Sequence, residues 1–214
     1  MKLKNVLALL LISFIFTNSA YASAGSIISY KSMDDAIKVL KVAPESRTGY
    51  VRTKFKHWVG VGNGCDSRKA VIISEAVIKP VVEKGCVIKG GEWFSIYDNV
   101  KVSDAGKLDV DHMVPLAEAW DSGASAWDDK KRELYANDQT DSRHLIAVTG
   151  ASNRSKSDRD PAEWMPTNTT YACEYISNWV SIKIRWSLSV DEKELAAIKS
   201  FKCPKNKIIV SPVK

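Results

Sequence analysis

The sequence lacks several features that mark common functional classes. It has no C-x-x-C pair, which disfavours the usual structural zinc sites. It has no internal repeat, low-complexity tract or long linker, so we expect one continuous fold. Beyond the N-terminus, no apolar run approaches the roughly twenty residues that a membrane-spanning helix needs. Histidine occurs only three times, which leaves few side chains that exchange a proton near neutral pH.

The first 22 residues are organised like a secretory signal peptide. Two lysines precede an apolar run over 6–16, and the small-residue pattern A-Y-A ends at Ala22. This order of charged, apolar and cleavage regions predicts export, with cleavage after Ala22 or, alternatively, after Ala24. We therefore expect a secreted or periplasmic protein that has no membrane anchor once the signal peptide is removed.

The mature chain over 23–214 has the length of one domain and a mild positive charge. The whole sequence has 31 basic and 25 acidic residues; removal of Lys2 and Lys4 leaves 29 basic residues and a net charge of +4. This charge is compatible with a polyanionic partner without requiring one. We expect a single domain and leave the oligomeric state open, with a monomer favoured.

The four cysteines predict two disulfide bonds, because an exported chain with an even number of cysteines usually oxidises them in pairs. Three pairings are possible. Cys65–Cys86 and Cys173–Cys203 are favoured because each closes a local loop, and each would stabilise the fold by about 3 kcal/mol. A zinc site is the alternative.

Helical and strand-like patterns are mixed along the chain and predict an α+β fold. Ser32 and Asp35 resemble a capping box that begins a short helix. Short segments between turn signals over 86–114 predict a meander of strands. The elements predicted after it are a helix following Pro115, a helix over 127–135, a strand over 145–148, a helix over 171–186, and a helix capped by Ser189 and Glu192 that ends near 202.

The stretch LDVDHMVPLAEAWDSG, residues 108–123, concentrates acids and a histidine before a predicted helix. On an extended strand Asp109 and Asp111 point to one face and His112 to the other. A bend is needed to bring Asp111 and His112 together, and Pro115 supports one because its fixed φ suits a first helical turn. Alone, this pattern is more typical of a solvated strand end than of a catalytic site.

A second cluster, HLIAVTGASNRSKSDRDP at 144–161, supplies the other groups that phosphodiester hydrolysis needs. The reaction requires a general base, a divalent cation and groups that hold the flanking phosphates. His112 can be the base. Asp111 and Asn153 offer hard oxygen ligands that suit one Mg²⁺ or Mn²⁺ ion, and a two-metal centre would need more carboxylates.

Three basic residues follow Asn153, namely Arg154, Lys156 and Arg159. Beside a phosphodiesterase centre we expect them to contact nucleic-acid phosphates, although a solvated basic loop has the same composition. Asp109 is expected to support the site through Arg154 or to bind the metal through a water molecule, and a purely structural hydrogen-bonding role is the equal alternative.

The stretches LDVDHMVPLAEAWDSGASAW and LIAVTGASNRSKSDRDPAEW together resemble the secreted HNH endonuclease family, which is related to the C-terminal domain of GmrSD-type restriction enzymes. GCDSRKAVI and GGEWFSIYDN fit the same pattern, so the resemblance covers about 58–186. It implies a ββα-metal (HNH) finger, at about 107–165, inside a single disulfide-bonded α+β domain that has a small antiparallel sheet and C-terminal helices. The hairpin of this finger would carry Asp111 and His112, and its helix would lie near Asn153.

The resemblance also implies a role for each site residue. Asp111 and Asn153 would be the metal ligands and His112 the general base. His144 stands near the position where the broader HNH group has an asparagine that orients the base, and a histidine can make the same hydrogen bond. The implied activity is hydrolysis of DNA with little sequence preference, leaving 5′-phosphate ends, with RNA left open as a further substrate. A catalytically inactive nucleic-acid-binding domain of the same fold, or a purely structural exported domain, are the alternatives.

Overall fold

The computed structural model describes residues 26–203 and 207–213. The predicted signal peptide, 1–22, lies outside this part of the chain. The strands are β1 (Ile28–Tyr30), β2 (Gly60–Gly62), β3 (Cys65–Asp66), β4 (Val81–Glu83), β5 (Val87–Lys89), β6 (Trp93–Ser95), β7 (Val100–Val102), β8 (Leu108–His112), β9 (Leu145–Thr149) and β10 (Ile208–Val210). The helices are α1 (Met33–Ile37), α2 (Ser67–Glu75), α3 (Leu116–Asp121), α4 (Asp129–Ala136), α5 (Gly150–Lys156), α6 (Ala172–Trp186) and α7 (Glu192–Ser200).

The fold is α+β, as predicted, but its strands do not form the predicted meander. The described strands pair as five separate antiparallel ladders, β1–β10, β2–β3, β4–β5, β6–β7 and β8–β9. A 3₁₀ turn at Ala105–Lys107 separates β7 from β8, so β8 pairs with the distant β9 instead of with its neighbour. In that ladder Leu108 lies opposite Thr149 and His112 opposite Leu145.

The β8–β9 hairpin is covered by a helix on each face. Leu108 and Val110 pack with Val71 of α2 in the smaller of two hydrophobic clusters. Asp109 and Asp111, one residue out of phase, contact α5 on the other face. Since α5 follows β9 directly, β8, β9 and α5 form a compact strand–strand–helix unit at the predicted place.

Of the two predicted helix caps, one is confirmed and one is wrong. Ser32 accepts a backbone hydrogen bond from the first turn of α1, as predicted. The predicted cap of α7 by Ser189 is wrong. Asp191 accepts the bond from the backbone N–H of Glu194, because the Ser189 hydroxyl donates to the carbonyl oxygen of Ser122.

The larger hydrophobic cluster surrounds α6, where Tyr175, Trp179 and Trp186 are buried. Both predicted disulfides are present. Cys173–Cys203 joins α6 to the segment after α7, and Cys65–Cys86 joins β3 to the turn between β4 and β5. Within residues 26–203 and 207–213, no helix has the length and apolar character that crossing a membrane requires.

Candidate active site

A cavity of about 290 Å³ opens at the end of β8, where the chain passes into α3. Asp111, His112 and Asn153 all line it. Asp111 and His112 are neighbours whose side chains would diverge on a straight strand. Both reach the cavity because it lies at the strand end, beside Pro115 and the first residues of α3. The three residues that the sequence assigned to base and ligands therefore share one cavity.

His112 is held in one orientation by a main-chain carbonyl. Its Nε2 lies 2.9 Å from the carbonyl oxygen of Ala136, at the end of α4. A carbonyl only accepts, so Nε2 carries the proton and Nδ1 keeps its lone pair when the ring is neutral. The ring stacks between Trp58 and Tyr135. Burial, and secondarily the nearby His144, hold the pKa of His112 well below its usual value.

The predicted orienting role of His144 finds no support in the geometry. His144 is fully buried, and its Nε2 donates to the carbonyl oxygen of Tyr135 at 2.7 Å. Its Nδ1 is buried without a hydrogen-bond partner, and its ring centroid lies 6.1 Å from that of His112. Ala136 performs the orienting function instead, because the end of α4 presents two successive carbonyls to the two imidazoles.

One of the two Asp111 carboxylate oxygens hydrogen-bonds to protein groups. Its Oδ2 accepts a hydrogen bond from the Tyr97 hydroxyl at 2.7 Å and one from Lys156 Nζ at 2.6 Å. Its Oδ1 makes no hydrogen bond with the described residues, although the side chain is only 5% exposed. Burial raises the pKa of Asp111, and the ammonium of Lys156 opposes that shift. One oxygen thus remains available at the cavity.

The predicted phosphate contact by Lys156 is wrong. The side chain is completely buried, and besides Asp111 its Nζ donates to the carbonyl oxygen of His112 at 2.8 Å. Lys156 lies three residues after Asn153 on α5, so both point to the same helix face, toward the hairpin. A lysine enclosed in this way cannot reach a ligand phosphate.

Asp109 contacts Asn153 as well as Arg154, the partner that the sequence predicts. The Asn153 amide nitrogen donates to Asp109 Oδ2 at 3.3 Å, which leaves the amide oxygen free for the cavity. Arg68 and Arg154 flank the Asp109 carboxylate at 3.8 and 3.7 Å. Asp109 is half-buried and does not line the 290 Å³ cavity itself.

The two remaining predicted phosphate contacts differ in position. Arg154 lines the cavity and its side chain is 74% exposed, so it can reach a ligand. Arg159 does not line the cavity, and its Nε donates to the carbonyl oxygen of Lys156 at 3.2 Å. Its guanidinium therefore caps the end of α5, and a phosphate contact by Arg159 stays a prediction.

The segment before β2 contributes groups that the sequence did not indicate. Tyr50 and Arg52 line the cavity. Arg47 fixes this segment, since its Nε contacts Asp121 of α3 at 2.6 Å and its Nη1 contacts Asp158, just after α5, at 2.7 Å. Composition alone carries no signal of such contacts, because all the partners are distant in sequence.

A separate acidic cluster lies away from the cavity. Glu45, Glu118 and Glu194 are the one group of three such side chains, within the described residues, whose spacing could hold a metal ion. Lys183 Nζ hydrogen-bonds to Glu118 and lies 3.1 Å from Glu194, so an ammonium already occupies this position. Burial raises the pKa of Glu45 to about 8 and that of Glu194 to about 7. The group is better described as a buried ion-pair network.

Comparisons with known proteins identify the family of the chain. Residues 82–200 match the family model described as "GmrSD restriction endonucleases, C-terminal domain", and this range contains Asp111, His112 and Asn153. An uncharacterized secreted protein of Arthroderma benhamiae is 35% identical over 176 residues, which cover 82% of this chain and 85% of that protein. No solved structure matches the chain.

Proposed function

Because the chain belongs to the family of GmrSD restriction endonuclease C-terminal domains, we propose that it is an exported, metal-dependent endonuclease of the HNH type. The family is one of nucleases, so the substrate is a nucleic acid. The proposed substrate is DNA, cut with little sequence preference to leave 5′-phosphate ends, and RNA is the second substrate to test. The proposed catalytic unit is the β8–β9–α5 hairpin and helix within a single domain over 23–214.

The orientation of His112 is the observation that carries this proposal. Its protonated Nε2 is held by the Ala136 carbonyl, and His112 lines the cavity that Asp111 and Asn153 share. Nδ1 is therefore the nitrogen that can take a proton from water. Burial lowers the pKa of His112, which keeps the ring neutral, as a general base must be at the start of the reaction.

The donor atoms at the cavity fit a small divalent cation. Asp111 Oδ1 is unpartnered within the described chain, and the Asn153 amide oxygen is left free by the bond from its nitrogen to Asp109. One anionic and one neutral oxygen are ligands that Mg²⁺ and Mn²⁺ accept, with water and phosphate oxygens completing the shell. When bound there, the cation would polarise the scissile phosphate and stabilise charge on the leaving 3′ oxygen.

The surrounding residues position these groups and bind the substrate. His112 accepts the proton of the attacking water, and the Ala136 carbonyl stabilises the imidazolium that results. Tyr97 and Lys156 hold the Asp111 carboxylate still, which matters because catalysis depends on preorganised ligands. Arg154 at the rim binds a phosphate oxygen of the substrate.

Export is supported by two observations besides the N-terminal pattern. The matched relative is a secreted protein, and the two disulfides are typical of oxidising compartments. Sequencing the N-terminus of protein recovered from the medium or periplasm tests this part. A first residue of Ser23 or Gly25 is expected, and an intact Met1 would contradict it.

The nuclease proposal is tested with purified mature protein, supercoiled plasmid and single-stranded RNA, each with Mg²⁺, Mn²⁺ or EDTA. We expect plasmid degradation that EDTA abolishes, and products that ligase joins without prior phosphorylation. The His112→Ala variant should be inactive but still bind DNA. His57→Ala is the matched control, because His57 does not line the cavity, and it should cut normally. Wild-type binding without cleavage would favour the inactive binding domain, and cleavage by His112→Ala would refute the assigned base.

A further inference from the structure

A second cavity, of about 480 Å³, lies beside the first along the β8–β9 hairpin. Its lining includes Lys101 of β7, Lys107 of the turn before β8, and Asp109 of β8. Arg154 lines both cavities and therefore lies where they meet. We call the surface formed by Lys101, Lys107 and Arg154 the basic groove.

The hairpin geometry aligns the basic groove with the first cavity. Asp109 and Asp111 are two residues apart on β8, so they share a face and lie about 6.6 Å apart along the strand. Asp111 lines the first cavity and Asp109 the second. The two cavities are thus consecutive openings along one face, and an extended ligand can pass from one to the other over Arg154.

The cations of the basic groove are available for a ligand. Lys107 Nζ makes no hydrogen bond or ion pair with the described residues. Lys101 Nζ is 3.7 Å from Glu92, and its side chain is 77% exposed. Arg154 is 3.7 Å from Asp109. Exposed pairs at such distances contribute little, so phosphate oxygens can replace these partners at small cost.

The carboxylates near the groove contact protein groups, although Asp109 also lines the second cavity. Asp104 accepts a hydrogen bond from the backbone of Gly106. Asp98 accepts bonds from the hydroxyls of Thr149 and Ser152. Asp109 is shared among Asn153 and two arginines. Three cationic side chains and one carboxylate, that of Asp109, line the second cavity, so the formal charge of its lining is positive.

The arginine at the junction is accommodated by a glycine. A methyl group placed on Gly150 would lie 2.7 Å from Arg154 Nη1 and 3.2 Å from Asp109 Oδ2. The absence of a side chain at the start of α5 therefore lets the guanidinium lie close over the helix backbone.

We propose that the basic groove binds the phosphates of the DNA strand next to the scissile bond, on one side of the active cavity. This inference rests on the proposed nuclease function. It assigns Lys101 and Lys107, from two elements upstream of the catalytic strand, to substrate binding. A polyanion whose reacting phosphate lies at Asp111 would continue over Arg154 to these lysines. Such contacts act on every sequence equally, in keeping with unspecific cleavage.

The test is the double variant Lys101→Ala/Lys107→Ala. Its matched control is Lys41→Ala/Lys130→Ala, which removes the same charge from exposed positions that line neither cavity. DNA binding is measured by fluorescence anisotropy in EDTA with a labelled duplex longer than the groove, over a series of salt concentrations. Cleavage is measured on the same duplex in Mg²⁺ and on a thymidine dinucleotide, which has no flanking phosphates.

We expect the groove variant to raise Kd and KM on the duplex by about tenfold or more and to lower the slope of log Kd against log salt by about 2. Its kcat, and its cleavage of the dinucleotide, should equal those of the wild type. If the groove variant binds duplex DNA as tightly as the control variant, the proposal that the basic groove binds DNA is wrong. Cleavage by the wild-type protein would in that case still support the nuclease proposal. Because DNA binding is measured separately in EDTA, it tests the role of the basic groove even if no substrate is cut.

Discussion

Lys156 Nζ lies 2.6 Å from Asp111 Oδ2, and both side chains are buried, with Asp111 lining the 290 Å³ cavity. The pair joins α5 to β8, the two elements that carry the proposed metal ligands. The ammonium also donates to the His112 carbonyl oxygen, so one lysine holds both the backbone of the proposed base and the carboxylate of the proposed metal ligand. Lys156 is therefore a positioning residue for the site.

Replacing Lys156 by Met should strongly destabilise the fold. The change preserves the length of the side chain but leaves the buried Asp111 carboxylate with Tyr97 alone. Removing one partner of a buried ion pair typically costs about 3–5 kcal/mol. The loss is measured as the difference in free energy of unfolding in urea.

The double variant Lys156→Met/Asp111→Asn distinguishes the ion pair from simple packing. It removes both charges, so it should recover a large part of the stability that the single Lys156→Met variant loses. If the double variant were no more stable than Lys156→Met, the loss would come from packing around α5 and the ion pair would not be its cause.

The sequence predicted the elements of the site better than the contacts among them. The two strands were predicted from turn residues and apolar runs, which are local signals, whereas the helix near Asn153 and the shared unit of Asp111, His112 and Asn153 were implied by the resemblance to the nuclease family. These three residues line one cavity, and their chemical roles stay predictions.

Contacts between distant segments were not readable from the sequence. Lys156 has the same sequence context as a phosphate-binding lysine, and only the packing of α5 on β8 buries it. His144 resembled an orienting residue, whereas the end of α4 supplies the carbonyl that holds His112. The β8–β9 pairing similarly depends on the turn at Ala105–Lys107, which interrupts an otherwise regular series of strands.

Replacing Asp109 by Ala should weaken metal binding without abolishing catalysis at saturating metal. The Asp109 carboxylate accepts the bond that keeps the Asn153 amide oxygen turned to the cavity. Losing such an orienting partner typically weakens metal affinity by about 10–100-fold. The readouts are the half-activating Mg²⁺ concentration and Mn²⁺ binding by calorimetry. Asp109→Asn, which keeps an acceptor oxygen, should be less affected, and equal values for both variants would contradict this role.

Glu75 should make the protein less stable as pH rises toward neutrality. The Glu75 Oε2 accepts a hydrogen bond from the Ala147 backbone in β9, and burial raises the pKa of Glu75 to about 7 from its usual value of 4.5. The folded state therefore binds the proton more tightly than the unfolded state. Its stabilising contribution is complete below pH 4.5 and is lost as pH rises to about 7.

Glu75→Gln removes this dependence, because the amide stays neutral and still offers an oxygen to Ala147. The free energy of unfolding of the variant minus that of the wild type should rise by about 2–3 kcal/mol from pH 4 to pH 8. Urea unfolding at both pH values measures it. Glu163→Gln, at an exposed position, is the control and should show no comparable gain. If the difference in free energy of unfolding between Glu75→Gln and the wild type does not change with pH, a raised pKa of Glu75 is refuted.

The two disulfides should contribute nearly equal stability, although they lie in different parts of the fold. They span 21 and 30 residues, and the entropy of closing a loop depends only on the logarithm of its length. Each pair, replaced by serines as Cys65→Ser/Cys86→Ser or Cys173→Ser/Cys203→Ser, should cost about 3–4 kcal/mol in urea unfolding. The difference between them should be below about 0.5 kcal/mol. A much larger loss for one pair would mean that its bridge stabilises native contacts directly, rather than by restricting the unfolded chain.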